Sequence, residues 1–293
     1  MNRKDVRRVL VGVGVGTLAA AALVVEAGPA AAAVPGLVRV TATSATSSAD
    51  SRTITATCPA TSPTLLSAGY ELNGALGDVV VDDLQLHAGS VTVVAYEADP
   101  YLPNWTLTAY AICADPPPNL VRLTAAGASS SSDFKSLVLD CGTDALLGAG
   151  FALGNATGEA VVDDLRPSGT PLLAPVTATF DAYEADPDYL PNWNVSAYAT
   201  CADPLPGLVR RSATSALNDS SDFKNVTASC EAGEVLVGSG YETNGGGGEV
   251  VVDDYRPNGN ATTAPTAVTV GAYEEDATNN NWTIGAYAIC ATA

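Results

Sequence analysis

The chain has 293 residues, 47% of them hydrophobic and 15% charged, with 32 acidic against 13 basic side chains and a formal charge of −19. That apolar content is too high for a disordered chain. The acidic excess repels phosphate backbones and anionic surfaces, which excludes nucleic acid as a partner and leaves cations and neutral polymers open.

Residues 1–33 read as a signal peptide. "MNRKDVRR" is a basic start, "VLVGVGVGTLAAAALVV" an apolar middle, and the small residues up to Ala33 suit cleavage. The chain is therefore expected to be secreted and extracellular. No later apolar run reaches the ~18 residues of a membrane span, so no membrane insertion is expected. Four of the 13 basic and two of the 32 acidic residues lie in this leader, so the mature chain keeps nine basic and 30 acidic groups, a formal charge of −21.

Beyond the leader, the chain is one unit written three times. The units span 34–118, 119–206 and 207–293, each about 85 residues, opening on "PGLVRVTATS", "PNLVRLTAAG" and "PGLVRRSATS". They close on "NWTLTAYAICA", "NWNVSAYATCA" and "NWTIGAYAICA". Trp105, Trp193 and Trp282 are 88 and 89 residues apart, as are Cys113, Cys201 and Cys290. In chain order, "TITATC" alternates toward Cys58. A Gly/Asn-rich turn, "NGALGD", comes next, then "VVVDD", then "AYEAD", then "WTLTAYAIC" with Trp105, Leu107, Ala109, Ala111 and Cys113 on one face. This period of two, with abundant Thr, Val and Tyr, predicts about six strands per unit and an all-β mature protein.

Six cysteines in an exported chain imply disulfides. The repeat favours one bridge per unit, Cys58–Cys113, Cys141–Cys201 and Cys230–Cys290, over a shifted set that would join neighbouring units. There is no CxxC, so a redox or zinc site is not expected.

The succession of Cys, "LLGAGFAL" or "VLVGSGYET", Val-Asp-Asp, Trp and "AYAICA" resembles secreted actinobacterial Cys/Trp triple-repeat proteins. That resemblance covers essentially the whole mature chain and implies no established activity. More remotely, the recurring Cys, Gly-Phe and Asp-Asp pattern is similar to vitelline membrane outer layer protein I. The similarity implies a β-prism, three sheets about a pseudo-threefold axis. Units here are longer than that family's repeats, which keeps three tandem small β-sandwiches as the alternative.

The paired carboxylates Asp82–Asp83, Asp163–Asp164 and Asp253–Asp254 invite three readings. As neighbours on a strand they should point to opposite faces, which argues against a catalytic pair sharing a cleft, as does triplication. A structural joint is the favoured reading. Arg39, Arg122 and Arg210, or Arg52, Lys135 and Lys224, are the expected ion-pair partners. The alternative is calcium held by Asp82, Asp83, Glu97 and Asp99 and their counterparts, including Asp163, Asp164, Glu184, Asp253, Asp254 and Glu274, although the spacing matches no EF-hand loop. No other cofactor is implied.

The three tryptophans share their face with the Ala/Cys pattern and read as core anchors. Tyr110, Tyr198 and Tyr287 lie on the opposite face and are the ligand-binding candidates. His87 has no counterpart in the other units, so a Ser/His or Cys/His nucleophile has little to build on. The expectation is a secreted, non-catalytic binding protein that recognises polysaccharide or a cell-surface glycan through repeated sites, whose triplication would raise avidity. The alternative is a structural or protective envelope protein whose partner is another protein.

Overall fold

In the structure, a computed structural model, residues 34–98, 103–185, 192–217, 221–275 and 281–293 are described. The leader through Ala33 and Asp99 lie outside them.

Each unit supplies six strands. The first gives β1 (Val38–Thr43), β2 (Ser51–Thr57), β3 (Thr64–Asn73), β4 (Val79–Leu86), β5 (Ser90–Glu97) and β6 (Thr106–Ala114). The second gives β7 (Val121–Ala126), β8 (Phe134–Asp140), β9 (Ala145–Gly154), β10 (Ala160–Pro167), β11 (Thr177–Glu184) and β12 (Asn194–Ala202). The third gives β13 (Val209–Thr214), β14 (Phe223–Ser229), β15 (Glu234–Asn244), β16 (Val250–Pro257), β17 (Ala267–Glu274) and β18 (Thr283–Thr292).

The units do not fold side by side. The three six-stranded sheets run β1-β6-β3-β16-β17-β14, β2-β5-β4-β9-β12-β7 and β13-β18-β15-β10-β11-β8. Every sheet is half one unit and half another, and every unit is divided between two sheets. The exchange closes in a ring, giving a β-prism-like arrangement with a pseudo-threefold axis. Three tandem sandwiches are thereby replaced, because no unit owns a sheet. Val80, Val161 and Val251, which occupy the same place in the three repeats, pack together as a small cluster of their own. Equivalent residues can meet in this way only near the axis. The main core surrounds them, with Tyr70, Tyr241 and Tyr255 buried edge to face at ring separations of 5.8 and 5.3 Å.

The sheets are joined at short seams. At the first, β4 meets β9 through Asp83 opposite Ala152. At the second, β10 meets β15 through Asp164 opposite Glu242 and Leu165 opposite Tyr241. At the third, β16 meets β3 through Asp254 opposite Glu71 and Tyr255 opposite Tyr70. Glycine is needed here: a Cβ on Gly69, Gly150 or Gly240 would stand 2.1–2.2 Å from the carbonyl oxygen of Tyr255, Leu84 or Leu165 across the seam. The backbones come too close for any side chain.

Burial follows strand position. Strands β2 and β5 keep the alternation read from sequence, whereas β3 and β6 are buried almost throughout on both faces. The expected disulfides form, Cys58–Cys113, Cys141–Cys201 and Cys230–Cys290. Each ties the end of a unit's strand in one sheet to its last strand in the other, stapling a corner of the prism. Three disulfides in an all-β chain are compatible with an extracellular, oxidising location.

Candidate functional site

The Asp-Asp pairs sit at the seams, and a β-bulge decides what they do. In each unit the register skips one residue between the last valine and the second aspartate, leaving Asp82, Asp163 and Asp253 as the extra, unpaired residue. A bulge re-aims its side chain. Strict alternation therefore fails at this point, and Asp163 and Asp164 open on one cleft instead of opposite faces. The sequence argument that adjacent aspartates cannot share a cleft is overturned.

The first aspartate of each pair is buried. Asp82 accepts hydrogen bonds from the backbone N–H groups of Thr157 (3.0 Å) and Gly158 (3.2 Å), both in the turn of the second unit. That turn is left-handed, with φ of 50° at Thr157 and 99° at Gly158, so consecutive amides face one carboxylate. Asp253 likewise meets the amide of Leu76 in the first unit's turn. Burial pushes the Asp82 carboxyl up to about 7, with Asp83 adding and the two amides opposing. Burial, with Asp254 adding, raises Asp253 well above the ordinary carboxylate range. Asp82 and Asp253 thus cap a neighbouring unit's turn instead of pairing with a basic residue, whereas Asp164 has Arg166 at 3.5 Å.

The basic residues act elsewhere. Arg39, Arg122 and Arg210 each reach into the preceding unit of the ring, donating to the carbonyl of Pro257 (3.1 Å), of Leu65 and Ala88 (2.8 and 2.9 Å), and of Pro167 (2.8 Å). Arg52, Lys135 and Lys224 lie over the rings of Trp105, Trp193 and Trp282 at 4.4, 5.0 and 4.7 Å. Beneath each cation the indole N–H donates to a glutamate, Glu97 (2.9 Å), Glu184 (2.6 Å) or Glu274 (2.8 Å). The tryptophans are fully buried, as the Ala/Cys pattern implied. The calcium set is thus divided: its glutamates serve the tryptophans while its aspartates serve the seams. Among the described residues, the one trio with ligand atoms within 4.8 Å of one another is Cys230, Glu234 and Cys290, and both of those sulfurs are in a disulfide.

The candidate ligand tyrosines are less open than expected. Tyr110 and Tyr287 are only 5% and 7% exposed. Arg39 and Arg210 stack on their rings at 4.6 and 4.4 Å. The Tyr110 hydroxyl donates to Glu71, which Arg256 also holds at 2.5 Å. Burial, with the glutamate contacts adding, raises both phenols far above their ordinary range. Tyr198 is half-buried. Its surroundings differ because Ala152 stands where the other units have Glu71 and Glu242, and its arginine, Arg122, bonds Thr200 (3.0 Å). Of the three, it is the one a ligand can reach.

A polar cleft of about 370 Å³ lies at the second seam, lined by Asp163, Asp164, Asp181, Tyr183, Thr243, Asn244 and the glycine turn at Gly245 and Gly247. A hollow of about 560 Å³ elsewhere is lined by Val34, Leu37, Val38, Val235 and Ala264 among others. Its polar side chains are the hydroxyls of Thr61, Ser62 and Thr262, and it contains no charged side chain. In the polar cleft Asp163 is 6% exposed, and its Oδ1 has no hydrogen-bond partner. The Thr243 hydroxyl lies beside it, close enough to favour the ionised carboxylate but without a well-formed hydrogen bond. Burial raises Asp163 to about 7, with Thr243 opposing and Asp181 adding. Burial also raises Asp164, against the pull of Arg166 at 3.5 Å.

Asp181 was not singled out from the sequence. The signal was there: aligning the repeats puts Val94, Asp181 and Gly271 at one position, just before "AYE". A carboxylate replaces an aliphatic or absent side chain in one unit only. Comparison with protein-family models and with curated proteins finds no match.

Proposed function

We propose that this is a secreted, non-catalytic binding protein that recognises polysaccharide or a cell-surface glycan where its units meet. The observation that supports this reading is the second-seam cleft. It converges three carboxylates, an amide side chain and a glycine turn on a hollow walled by Tyr183. Sugars need this combination, hydrogen-bond acceptors for hydroxyls and an aromatic wall for the ring. Phe134 packs on Tyr183 with ring centroids 4.8 Å apart and extends that wall. Nucleic acid and membrane insertion have no place in the proposal, given the charge of −21.

Co-sedimentation of the mature chain with insoluble polysaccharides and cell-envelope preparations tests it. Retention without release of reducing ends is expected. Release of reducing ends would overturn the non-catalytic part, and failure to bind any glycan would overturn the whole. A second reading, an envelope protein that contacts another protein, is favoured by the loop between β10 and β11. Leu172 and Leu173 stand side by side and exposed there, where the third unit has Thr262 and Thr263. Loss of envelope retention in Leu172→Thr/Leu173→Thr, with glycan binding absent, would decide for it.

A further inference from the structure

The three seams are built alike, which makes each a control for the others. At the first, Asp82 is satisfied by the amides of Thr157 and Gly158, Asp83 accepts from Gln85 at 3.0 Å, and the third position is Val94. At the third, Asp253 meets the Leu76 amide, its Oδ1 is likewise buried without a hydrogen bond, and the third position is Gly271, which adds no second carboxylate. At the second, Asp181 lies opposite Asp164 across the β10–β11 ladder. The Oδ1 atoms of both Asp163 and Asp181 are buried without hydrogen bonds. The one basic group alongside, Arg166, is divided between Asp164 and Glu242, each at 3.5 Å. The Oδ1 atoms of Asp163 and Asp181 thus carry acceptor capacity that no hydrogen bond among the described residues uses, and buried polar atoms are costly unless bonded.

Building on the glycan-binding reading above, we propose that the second-seam cleft takes the protonated amine of an amino sugar, making the preferred glycan one with free, unacetylated amines. Three observations carry this. In their ionised form, which a bound cation favours, the unused carboxylate oxygens are acceptors only, and a primary ammonium is a donor only. The three aspartates do not bring their oxygens within 4.8 Å of one another, the spread over which a single metal ion would hold them. A sugar, whose ammonium and hydroxyl donors are spread around a ring, meets a wider set. Finally, a chain of formal charge −21 draws a polycationic glycan toward the cleft.

The test is calorimetric titration of a glucosamine tetramer and its fully N-acetylated counterpart into the mature chain, with Asp181→Val and Asp163→Asn as variants. Valine is the first unit's residue at the Asp181 position, so the fold should survive, and melting curves check this. The free-amine oligomer should bind about tenfold or more tightly than the acetylated one, as charge-assisted hydrogen bonds imply. Asp181→Val should remove that preference, and added salt should weaken it. Equal binding of the two oligomers would overturn the inference while leaving glycan recognition standing. Binding of the free-amine oligomer unaffected by Asp181→Val would also overturn it, by placing the site elsewhere. Calcium binding that Asp181→Val abolishes and that blocks the amine would reassign the cleft to a metal. Absence of binding by either oligomer, or by any polysaccharide, would remove both this inference and the function it rests on. Amine-dependent binding without retention on neutral polysaccharides would uphold the inference and narrow the function to amino glycans.

Discussion

Asp82→Ala is the sharpest test of the seam. The side chain is buried and both carboxylate oxygens are used, one by Thr157 N–H at 3.0 Å and one by Gly158 N–H at 3.2 Å. Alanine leaves the buried Gly158 amide and the partly buried Thr157 amide without acceptors, and an orphaned buried donor costs about 1–3 kcal/mol. Part of that is returned, because removing a carboxyl whose own burial is unfavourable relieves its desolvation. The net expectation is a loss of about 2–4 kcal/mol, or a fall in Tm of roughly 5–15 °C for a chain of this size. Asp82→Asn should lie between the two, since its amide offers one acceptor and turns a donor toward the second N–H. Guanidinium denaturation of the oxidised protein, followed by tryptophan fluorescence, measures both. An Asp82→Ala variant within about 0.5 kcal/mol of the parent, the usual scale of neutral surface changes, would show that the carboxylate does not hold the turn.

Three further outcomes are expected. Asp82 and Asp163 are raised to about 7 and Asp253 is raised well above the ordinary carboxylate range, so the folded chain binds protons more tightly than the unfolded one. Their contribution is full below the unfolded carboxylate pKa and is lost as pH rises through 7. Asp82 and Asp163 would each then give up about 2–3 kcal/mol between pH 5 and 8. Thermal melts at those two pH values should show the higher Tm at pH 5, and an equal or higher Tm at pH 8 would refute the assignment. Gly240→Ala places a methyl 2.2 Å from the Leu165 carbonyl oxygen and 2.3 Å from Pro167. It should cost about 3 kcal/mol or more, or prevent folding, whereas Gly233→Ala, with open space around it, should not prevent folding. Glu274→Ala deprives the buried Trp282 indole of its acceptor at 2.8 Å and should cost about 1–3 kcal/mol, with Glu274→Gln recovering most of it by chemical denaturation.

Much of the fold was legible because the repeat supplied its own alignment. Strand number, the all-β class, the disulfide pairing and the buried tryptophans all follow from period-two patterning at matched positions. What escaped was the exchange of strands between units. Pairing between β4 and β9 rests on a single opposed pair, Asp83 with Ala152, and nothing in either segment names the other. The bulge escaped for a related reason. "VVVDD" is a smooth strand by pattern, and only the ladder partner shows that Asp82 is surplus. From that one missed residue came the wrong faces for the aspartates. The wrong partners for the basic residues came from counting charges without seeing that aromatic rings and carbonyls were nearer.

Comparison of the units then separates joint from site. Positions that close the ring keep their residue in all three units: the seam glycines Gly69, Gly150 and Gly240, the capping aspartates, the Trp–Glu pairs, and the arginines that reach the neighbouring unit. The glycines are fixed by the close approach of two backbones, and the glutamates by the acceptor each buried indole needs. Positions on the outward side of the same seams vary freely. Glu71 and Glu242 become Ala152, Arg166 and Arg256 become Gln85, and Val94 and Gly271 become Asp181. A symmetric binder would repeat its ligand residues as faithfully as its joints, and the three carboxylates of the proposed cleft are repeated at neither of the other seams. The divergence concentrates charge at one seam, where Asp181 joins an unsatisfied Asp163, and removes it at another, where Tyr198 lacks the glutamate beside Tyr110. The ring needs its threefold sameness to close, and chemistry is free to differ only where closure makes no demand.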